Sequence, residues 1–240
     1  MSLENIFIKY IHTLMIPKII HQIYVKQKPD STFPESYSFC QKSVLKHHPD
    51  FQYKLYNQND MQEIVSKYLP QYLEHFNKLP RVIMKIDMFR IMLLYLYGGI
   101  YLDMDYYFFK PFDLLHHEIV IPCNKENENE QPVSIGNAIM ASTPNQPFWK
   151  KILDTLYTHN RTERYQSEWD VIRETGPQFL SKMWKEYENK SIIHVPPRKL
   201  FHPPSLSALH NHKYIEELRQ SGIYGIHFCT SLWFHGKNYL

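Results

Sequence analysis

The sequence predicts an α/β fold in which helices flank a central sheet. Segments with strand and helix character alternate along the first part of the chain, which is typical of this class. Residues 81–97 contain no Gly or Pro and are apolar almost all the way round, which indicates a helix buried between layers. With 240 residues, 43% of them hydrophobic, the chain can form one sizeable core. We expect an N-terminal extension over residues 1–15 and a single domain over residues 16–240.

Four elements are predicted before the buried helix. Branched side chains indicate the strands, and capping residues followed by apolar periodicity indicate the helices. In chain order they are a strand over residues 16–25, a helix over 34–47, a strand over 51–56 and a helix over 61–68. Asn59 or Asp60 is the expected N-cap of the second helix.

Gly98 and Gly99 are expected to end the buried helix, and a short apolar strand over residues 100–103 follows. Pro111 limits how far any strand can continue from there. Residues 125–131 are polar and predict a solvated loop. The remaining predicted elements are strands over 118–121 and 134–141, helices over 147–159 and 176–188, and a last strand over 224–228.

Composition and missing motifs argue against several classes of protein. The formal net charge of +3, from 27 basic and 24 acidic residues, gives no broad positive surface for nucleic acid. The seven glycines form no G-x-G-x-x-G, P-loop or G-x-S-x-G pattern. We therefore expect no nucleic-acid binding, and we do not expect a dinucleotide oxidoreductase, a P-loop NTPase or an α/β-hydrolase.

Cysteine content and hydropathy predict a soluble chain in a reducing compartment. Cys40, Cys123 and Cys229 are odd in number and lack C-x-x-C spacing, so neither a disulfide framework nor a zinc finger is expected. Residues 6–25 are the most apolar N-terminal stretch, but Lys, His and Pro interrupt them, so they fit neither a membrane span nor a signal peptide. The expected location is the cytoplasm.

Two carboxylates, Asp103 and Asp105, stand where the apolar strand after the glycine pair ends. In an extended chain the side chains at positions i and i+2 point the same way. Mg²⁺ and Mn²⁺ prefer oxygen ligands and keep positions open for phosphate oxygens, so such a pair suits a metal bound to a diphosphate. Most Asp-x-Asp pairs are solvated turns, but this one follows an apolar strand, at the sheet edge where α/β folds bind ligands.

Two further groups of residues are candidates for the same site. Asp87 and Arg90 are neighbouring charges on the otherwise apolar helix. They form either a structural ion pair or a polar pair that binds sugar hydroxyls or phosphates in a cleft. Near the C-terminus, His227 can supply a nitrogen ligand to a metal, while Ser231 and Trp233 can donate hydrogen bonds to a diphosphate.

These motifs resemble the signature of a known family, the glycosyltransferases with the sugar-binding region containing the DXD motif (family 32-like). The central block reads Asp87-x-x-Arg90, Leu94 and Gly98-Gly99-Ile100-Tyr101-Leu102-Asp103-x-Asp105. The family includes fungal initiating mannosyltransferases, mannosyl-inositolphosphoceramide synthases and, more distantly, clostridial glucosylating toxins. The other matching motifs, in order, are Ile16-Pro17-Lys18-Ile19-Ile20-His21-Gln22, Asn137, Thr175-Gly176-Pro177, and His227 with Ser231-x-Trp233.

The resemblance implies a GT-A fold with a mixed central sheet, a Mn²⁺ or Mg²⁺ cofactor and a nucleoside-diphosphate-sugar donor. It also implies transfer, with retention of configuration, to a hydroxyl of a glycan, glycolipid or protein. By position, the implied metal ligands are Asp103, Asp105 and His227, and the implied catalytic residues are Asp87, Arg90, Asp103 and Asp105. The implied donor-binding residues are Ile20, His21, Gln22, Tyr24, Asp87, Arg90, Gly99, Tyr101, Asn137, Asp103, Ser231 and Trp233.

The sequence departs from the family pattern at two places. Tyr24 stands where the family usually has Trp at the end of the first strand, so the expected stacking contact with the base is altered. Family members of the fungal Golgi usually carry an N-terminal membrane anchor, and no such segment is recognised here. We therefore expect a cytoplasmic enzyme of microbial or viral origin.

Three alternatives remain open. If the reaction inverts configuration it needs a carboxylate base, and Asp170 or Glu174 is the candidate. A phosphatase with an aspartyl nucleophile also presents Asp-x-Asp at a strand end, although Tyr107 stands where Thr or Val is usual. A carbohydrate- or nucleotide-sugar-binding domain without turnover would use the same residues.

Overall fold

The computed structural model describes residues 15–26, 30–158, 167–204 and 211–230, so the expected N-terminal extension falls almost wholly outside it. The helices of this part are α1 (Glu35–His47), α2 (Gln58–Tyr68), α3 (Leu73–Lys78), α4 (Val82–Tyr97), α5 (Pro147–Thr158), α6 (Glu168–Glu174), α7 (Pro177–Glu186), α8 (Arg198–Phe201) and α9 (His212–Gln220). The strands are β1 (Ile19–Ile23), β2 (Gln52–Tyr56), β3 (Gly99–Leu102), β4 (Tyr106–Phe108), β5 (Ile119–Val120), β6 (Cys123–Glu126), β7 (Pro132–Ile135), β8 (Ile139–Ser142), β9 (Ile193–His194) and β10 (Gly225–His227). Among the described residues, none of the helices combines the length and apolar character needed to cross a bilayer.

The central sheet has six strands in the order β2-β1-β3-β8-β5-β9. β1 is parallel to both β2 and β3, whereas β8 is antiparallel to β3 and β5. Two small antiparallel pairs, β4 with β10 and β6 with β7, lie outside this sheet. The predicted α/β class with a mixed sheet is therefore confirmed.

Side chains of β3 alternate between the two faces of the sheet, as the pleat of a strand requires. Ile100 and Leu102 belong to one hydrophobic cluster. Tyr101 belongs to the other, which also contains the apolar residues of α4. Every residue of α4 from 87 to 94 is buried, so the prediction of a helix enclosed between layers is confirmed.

α2 begins earlier than predicted, because its cap is Asn57. The Asn57 side chain accepts hydrogen bonds from the backbone N–H groups of Asn59 at 2.7 Å and Asp60 at 3.2 Å. The Asp60 carboxylate in turn accepts from the Asn57 N–H at 2.8 Å. The prediction of Asn59 or Asp60 as the cap was wrong, because apolar periodicity starts only at Met61 and hides the reciprocal capping box before it.

The predicted loop over residues 125–131 is too long, because β6 and β7 pair as an antiparallel hairpin. Cys123 and Ile135 are its only buried strand residues, so the hairpin lacks the apolar alternation by which strands are recognised. The strand predicted over residues 134–141 is in fact two strands, since β7 pairs with β6 while β8 joins the central sheet. The sequence patterns also missed α3, α6, α8, α9, β4 and β9, of which α9 is the longest with nine residues.

The turn from α4 into β3 requires glycine. Gly98 and Gly99 have φ angles of 63° and 89°. A Cβ atom on Gly99 would lie 2.6 Å from the Ile19 carbonyl oxygen, which belongs to the neighbouring strand. We expect Gly99→Ala to lower the free energy of unfolding by about 3 kcal/mol, because backbone strain of about 1–3 kcal/mol adds to this clash. Urea denaturation measures the loss.

Gly222→Ala is the matched control for this prediction. Gly222 also has a positive φ of 76°, but no atom lies within 4 Å of the added Cβ. This variant should lose only the strain, about 1 kcal/mol. Equal losses in the two variants would show that close packing at Gly99 contributes nothing.

Candidate active site at the ends of β3 and β10

Asp103, Asp105 and His227 meet at one place, although His227 is 122 positions after Asp105. Asp103 directly follows β3, and His227 ends β10 opposite Tyr106 of β4. One ligand atom from each of the three side chains lies within 4.8 Å of the other two. Two carboxylates and an imidazole at this spacing form a donor set that suits Mn²⁺ or Mg²⁺, so the residues fit the cation that the resemblance implies.

The Asp105 carboxylate is held by two partners. Its Oδ2 atom accepts hydrogen bonds from the backbone N–H and the hydroxyl of Thr230, at 2.7 and 2.8 Å. Its Oδ1 atom lies 3.0 Å from His227 Nε2. Burial acts to raise the pKa of Asp105, but the His227 charge and the Thr230 donors outweigh it and lower the pKa to about 2. Asp105 is therefore a fixed anion in the folded protein.

The His227 ring is oriented from both of its nitrogen atoms. Burial acts to lower its pKa, but the Asp105 charge outweighs burial and holds the pKa well above its usual value. The Nδ1 atom lies 3.3 Å from the Cys229 sulfur. A metal ion binds the neutral imidazole, so a cation at this site would take the place of the Nε2 proton.

Asp103 is positioned by α4 and by its own strand. Its Oδ1 atom accepts hydrogen bonds from Arg90 Nη1 at 3.0 Å and from the Tyr101 hydroxyl at 2.7 Å. Its Oδ2 atom lies 3.8 Å from His227 Nε2, and 22% of the side chain is exposed. One oxygen is thus engaged in the protein while the other faces the histidine.

Asp87 and Arg90 form an ion pair, with each side chain only 4% exposed. Arg90 Nη2 lies 3.0 Å from Asp87 Oδ1. Burial raises the pKa of Asp87 to about 6, against the lowering effect of Arg90. Burial acts to lower the pKa of Arg90, but the Asp103 charge outweighs it. Arg90 Nε has no hydrogen-bond partner within the described residues.

Asn137 and Thr175 complete this buried network. The backbone carbonyl oxygen of Asn137 accepts a hydrogen bond from Arg90 Nη1 at 2.8 Å. The side-chain amide of Asn137 donates to Asp87 Oδ1 at 3.2 Å. The Thr175 hydroxyl donates to Asp87 Oδ2 at 2.8 Å. The Asp87–Arg90 pair therefore links α4 to the residue after β3, to the segment before β8 and to the segment between α6 and α7.

Two residues of β1 form hydrogen bonds to the backbone at the two ends of β3. Gln22 donates to the Asp103 carbonyl oxygen at 3.0 Å and accepts from the Tyr53 hydroxyl at 2.7 Å. His21 Nε2 lies 2.9 Å from the Gly98 carbonyl oxygen, and burial lowers the His21 pKa to about 4. Ile20 is only 1% exposed and packs in the core.

Tyr24 and Tyr37 lie in a group of aromatic side chains near the carboxylates. The Tyr24 ring packs edge-on against Phe33 at 4.8 Å and Tyr37 at 6.1 Å. Burial raises the pKa of Tyr37 above its usual value, and the nearby Asp105 charge adds to this effect. Neither Tyr37 nor Thr230 could be predicted as a site residue, because neither belongs to a recognisable sequence motif.

Ser231 and Trp233 lie outside the described residues. Asp170, the candidate base of an inverting reaction, instead caps α6 by accepting from the Ser167 N–H at 2.7 Å, and it pairs with Arg173.

Comparisons with known proteins find similar sequences. Residues 34–121, which include Asp103 and Asp105, match the family model described as the glycosyltransferase sugar-binding region containing the DXD motif. Inositol phosphoceramide mannosyltransferase 3 of Schizosaccharomyces pombe is 32% identical over 175 residues, which are 72% of this chain and 46% of that protein. Mannosyl phosphorylinositol ceramide synthase SUR1 of Saccharomyces cerevisiae is 30% identical over 183 residues, 74% of this chain and 44% of that protein. The chain thus spans less than half the length of both fungal relatives.

The fold has a match among solved structures. The PaToxG glycosyltransferase superposes with a TM-score of 0.55 at 17% identity, covering 91% of this chain and 84% of that one. At this identity the match bears on the fold alone. Residues 34–121 therefore carry a glycosyltransferase sugar-binding region containing the DXD motif, and the chain has the GT-A fold.

Proposed function

We propose that this chain transfers a sugar from a nucleoside-diphosphate-sugar donor to an acceptor hydroxyl, using Mn²⁺ or Mg²⁺ held by Asp103, Asp105 and His227. The observation that carries the proposal is the convergence of these three side chains within 4.8 Å at the end of β3. When bound, the cation supplies positive charge that stabilises the departing diphosphate.

The chain's own residues prepare this site in the proposed mechanism. Thr230 holds Asp105 as an anion, and Arg90 with Tyr101 turns Asp103 so that one oxygen remains toward His227. Such fixed groups lower the cost of reorganisation when charge develops on the leaving group. The diphosphate contacts that the resemblance assigns to Ser231 and Trp233 remain part of the proposal.

For the donor sugar, we propose that Asp87 and Arg90 act largely through their neighbours. Both are almost fully buried and hold Asp103 and Asn137 in place. The floor of the donor site would be formed by Ile20, His21, Gln22 and Gly99. The Tyr24 ring would stack on the base of the donor.

Retention of configuration is the stereochemistry we propose. In a retaining transfer the acceptor arrives on the face of the leaving group, and the departing phosphate can itself take the proton. The capping role of Asp170 supports this choice, because that carboxylate is already engaged by Ser167 and Arg173. The names of the fungal relatives support a glycolipid hydroxyl as the acceptor, ahead of a glycan or protein hydroxyl.

Donor hydrolysis tests this function without knowledge of the acceptor. We expect the protein to release nucleoside diphosphate and free sugar from one member of a panel of UDP- and GDP-sugars. Mn²⁺ should be required, EDTA should stop the reaction, and added Mn²⁺ should restore it. Donor binding by calorimetry without turnover would instead favour a binding domain. Phosphate release from p-nitrophenyl phosphate without sugar transfer would favour the phosphatase.

A further inference from the structure

A cavity lies between the β6–β7 hairpin and helices α6 and α7, and its lining includes none of the candidate metal ligands. Its volume is about 540 Å³, which is within the range of small-molecule sites. The lining residues are Asn124, Lys125, Val133, Ser134, Ile172, Pro177, Gln178, Ser181, Lys182, Lys185 and Glu186. The cavity therefore combines apolar walls with side chains that can form hydrogen bonds.

The charges around this cavity are predominantly positive. Lys125 comes from β6, while Lys182 and Lys185 lie three residues apart on α7 and so share one face of that helix. Glu186 is the one acidic residue of the lining, and its carboxylate lies 4.0 Å from Lys182. Three lysines against one glutamate leave the lining complementary to an anion.

Helix α7, which forms one wall of the cavity, is connected to β7 and, through Thr175, to Asp87. The Ser181 hydroxyl both accepts from the Ile135 N–H and donates to the Ile135 carbonyl oxygen, at 3.0 Å each, so α7 is fastened to β7. Pro177 of the lining is two residues after Thr175, whose hydroxyl bonds to Asp87. Their Cα atoms are therefore at most about 7.6 Å apart. The wall of the cavity is therefore connected to Asp87 of the Asp87–Arg90–Asp103 network through Thr175.

We propose that this cavity binds the phosphate-bearing part of the acceptor, a sugar or polyol phosphate that is either free or the head group of a lipid. The inference rests on the proposed transfer function and assigns a new site to it. Lysine ammonium groups would contact the phosphate, and Asn124, Ser134 and Gln178 would contact hydroxyls. Trp169 is 63% exposed on α6, one turn before Ile172 of the lining.

Binding of sorbitol 6-phosphate, measured by calorimetry against sorbitol, tests the proposal on the intact chain. A second arm measures binding to phosphatidylcholine vesicles with and without phosphatidylinositol. We expect Lys182→Gln/Lys185→Gln to weaken the anion-dependent binding about 100-fold, since each charged hydrogen bond contributes about tenfold. Lys213→Gln, an exposed lysine on α9, is the control and should bind normally.

The two arms identify the source of the phosphate. Lysine-dependent binding of the soluble phosphate supports a free acceptor, and lysine-dependent binding to the anionic vesicles alone supports a lipid head group. Absence of both, or equal binding by the double variant, would overturn the proposal. Donor hydrolysis by the unaltered chain, which needs no acceptor, separates this failure from failure of the proposed function. No hydrolysis by the unaltered chain would overturn that function and the acceptor role together.

Discussion

Asp105→Asn is expected to lower Mn²⁺-dependent donor turnover about 10²- to 10³-fold, the effect typical of losing one charge-stabilising group. The amide has the size of the carboxylate and can still accept the Thr230 hydrogen bonds, so the fold should persist. It lacks the negative charge that a divalent cation requires. Donor hydrolysis at saturating Mn²⁺ measures the rate, and calorimetry measures the affinity for Mn²⁺.

Asp113→Asn is the control for this change. Asp113 accepts a hydrogen bond from Tyr224, outside the group of candidate metal ligands. It should leave both Mn²⁺ affinity and turnover close to those of the unaltered protein. Near-normal turnover by Asp105→Asn, with Mn²⁺ still bound, would remove Asp105 from the proposed metal site.

Arg90→Met should be the most destabilising of the proposed substitutions, lowering the free energy of unfolding by about 3–5 kcal/mol. Arg90 is the shared partner of Asp87 and Asp103, and it also donates to the Asn137 carbonyl oxygen. Methionine has a similar length but leaves these groups buried without their cation. Urea denaturation at neutral pH measures the loss.

Two further variants separate burial from charge. Arg219→Met removes an exposed ion pair with Glu216 and should change stability by less than about 1 kcal/mol. Adding Asp87→Asn to Arg90→Met removes one uncompensated carboxylate and should recover part of the loss. If Arg90→Met were no more destabilising than Arg219→Met, the buried network would not hold the site together.

The local parts of the fold could be predicted because their signals lie within a few residues of one another. The buried helix shows as a run without Gly or Pro, and the glycine pair after it marks the strained turn into β3. The β6–β7 hairpin was only partly predicted, because its strands lack a clear apolar alternation. The Asn57 cap escaped because the apolar pattern begins four residues later.

Some residues of the candidate site could likewise be predicted from the sequence, and others could not. Asp103 and Asp105 stand out because two carboxylates follow an apolar strand, and His227 stands out as a histidine at a strand end. Thr230 and Tyr37 carry no such signal, since their importance comes only from lying beside Asp105. The ion-pair and cleft hypotheses for Asp87 and Arg90 also needed the structure, which gives a buried pair with each side chain 4% exposed.

By itself, the order of residues determined the α/β class, the enclosed helix and the chemical types at the site, because periodicity and spacing act over short stretches of chain. Only the tertiary structure decided the strand order, the meeting of His227 with Asp105 and the lysine-lined cavity between the β6–β7 hairpin and α7. These features join residues far apart in sequence, and their positions depend on how the crossovers and the core pack together.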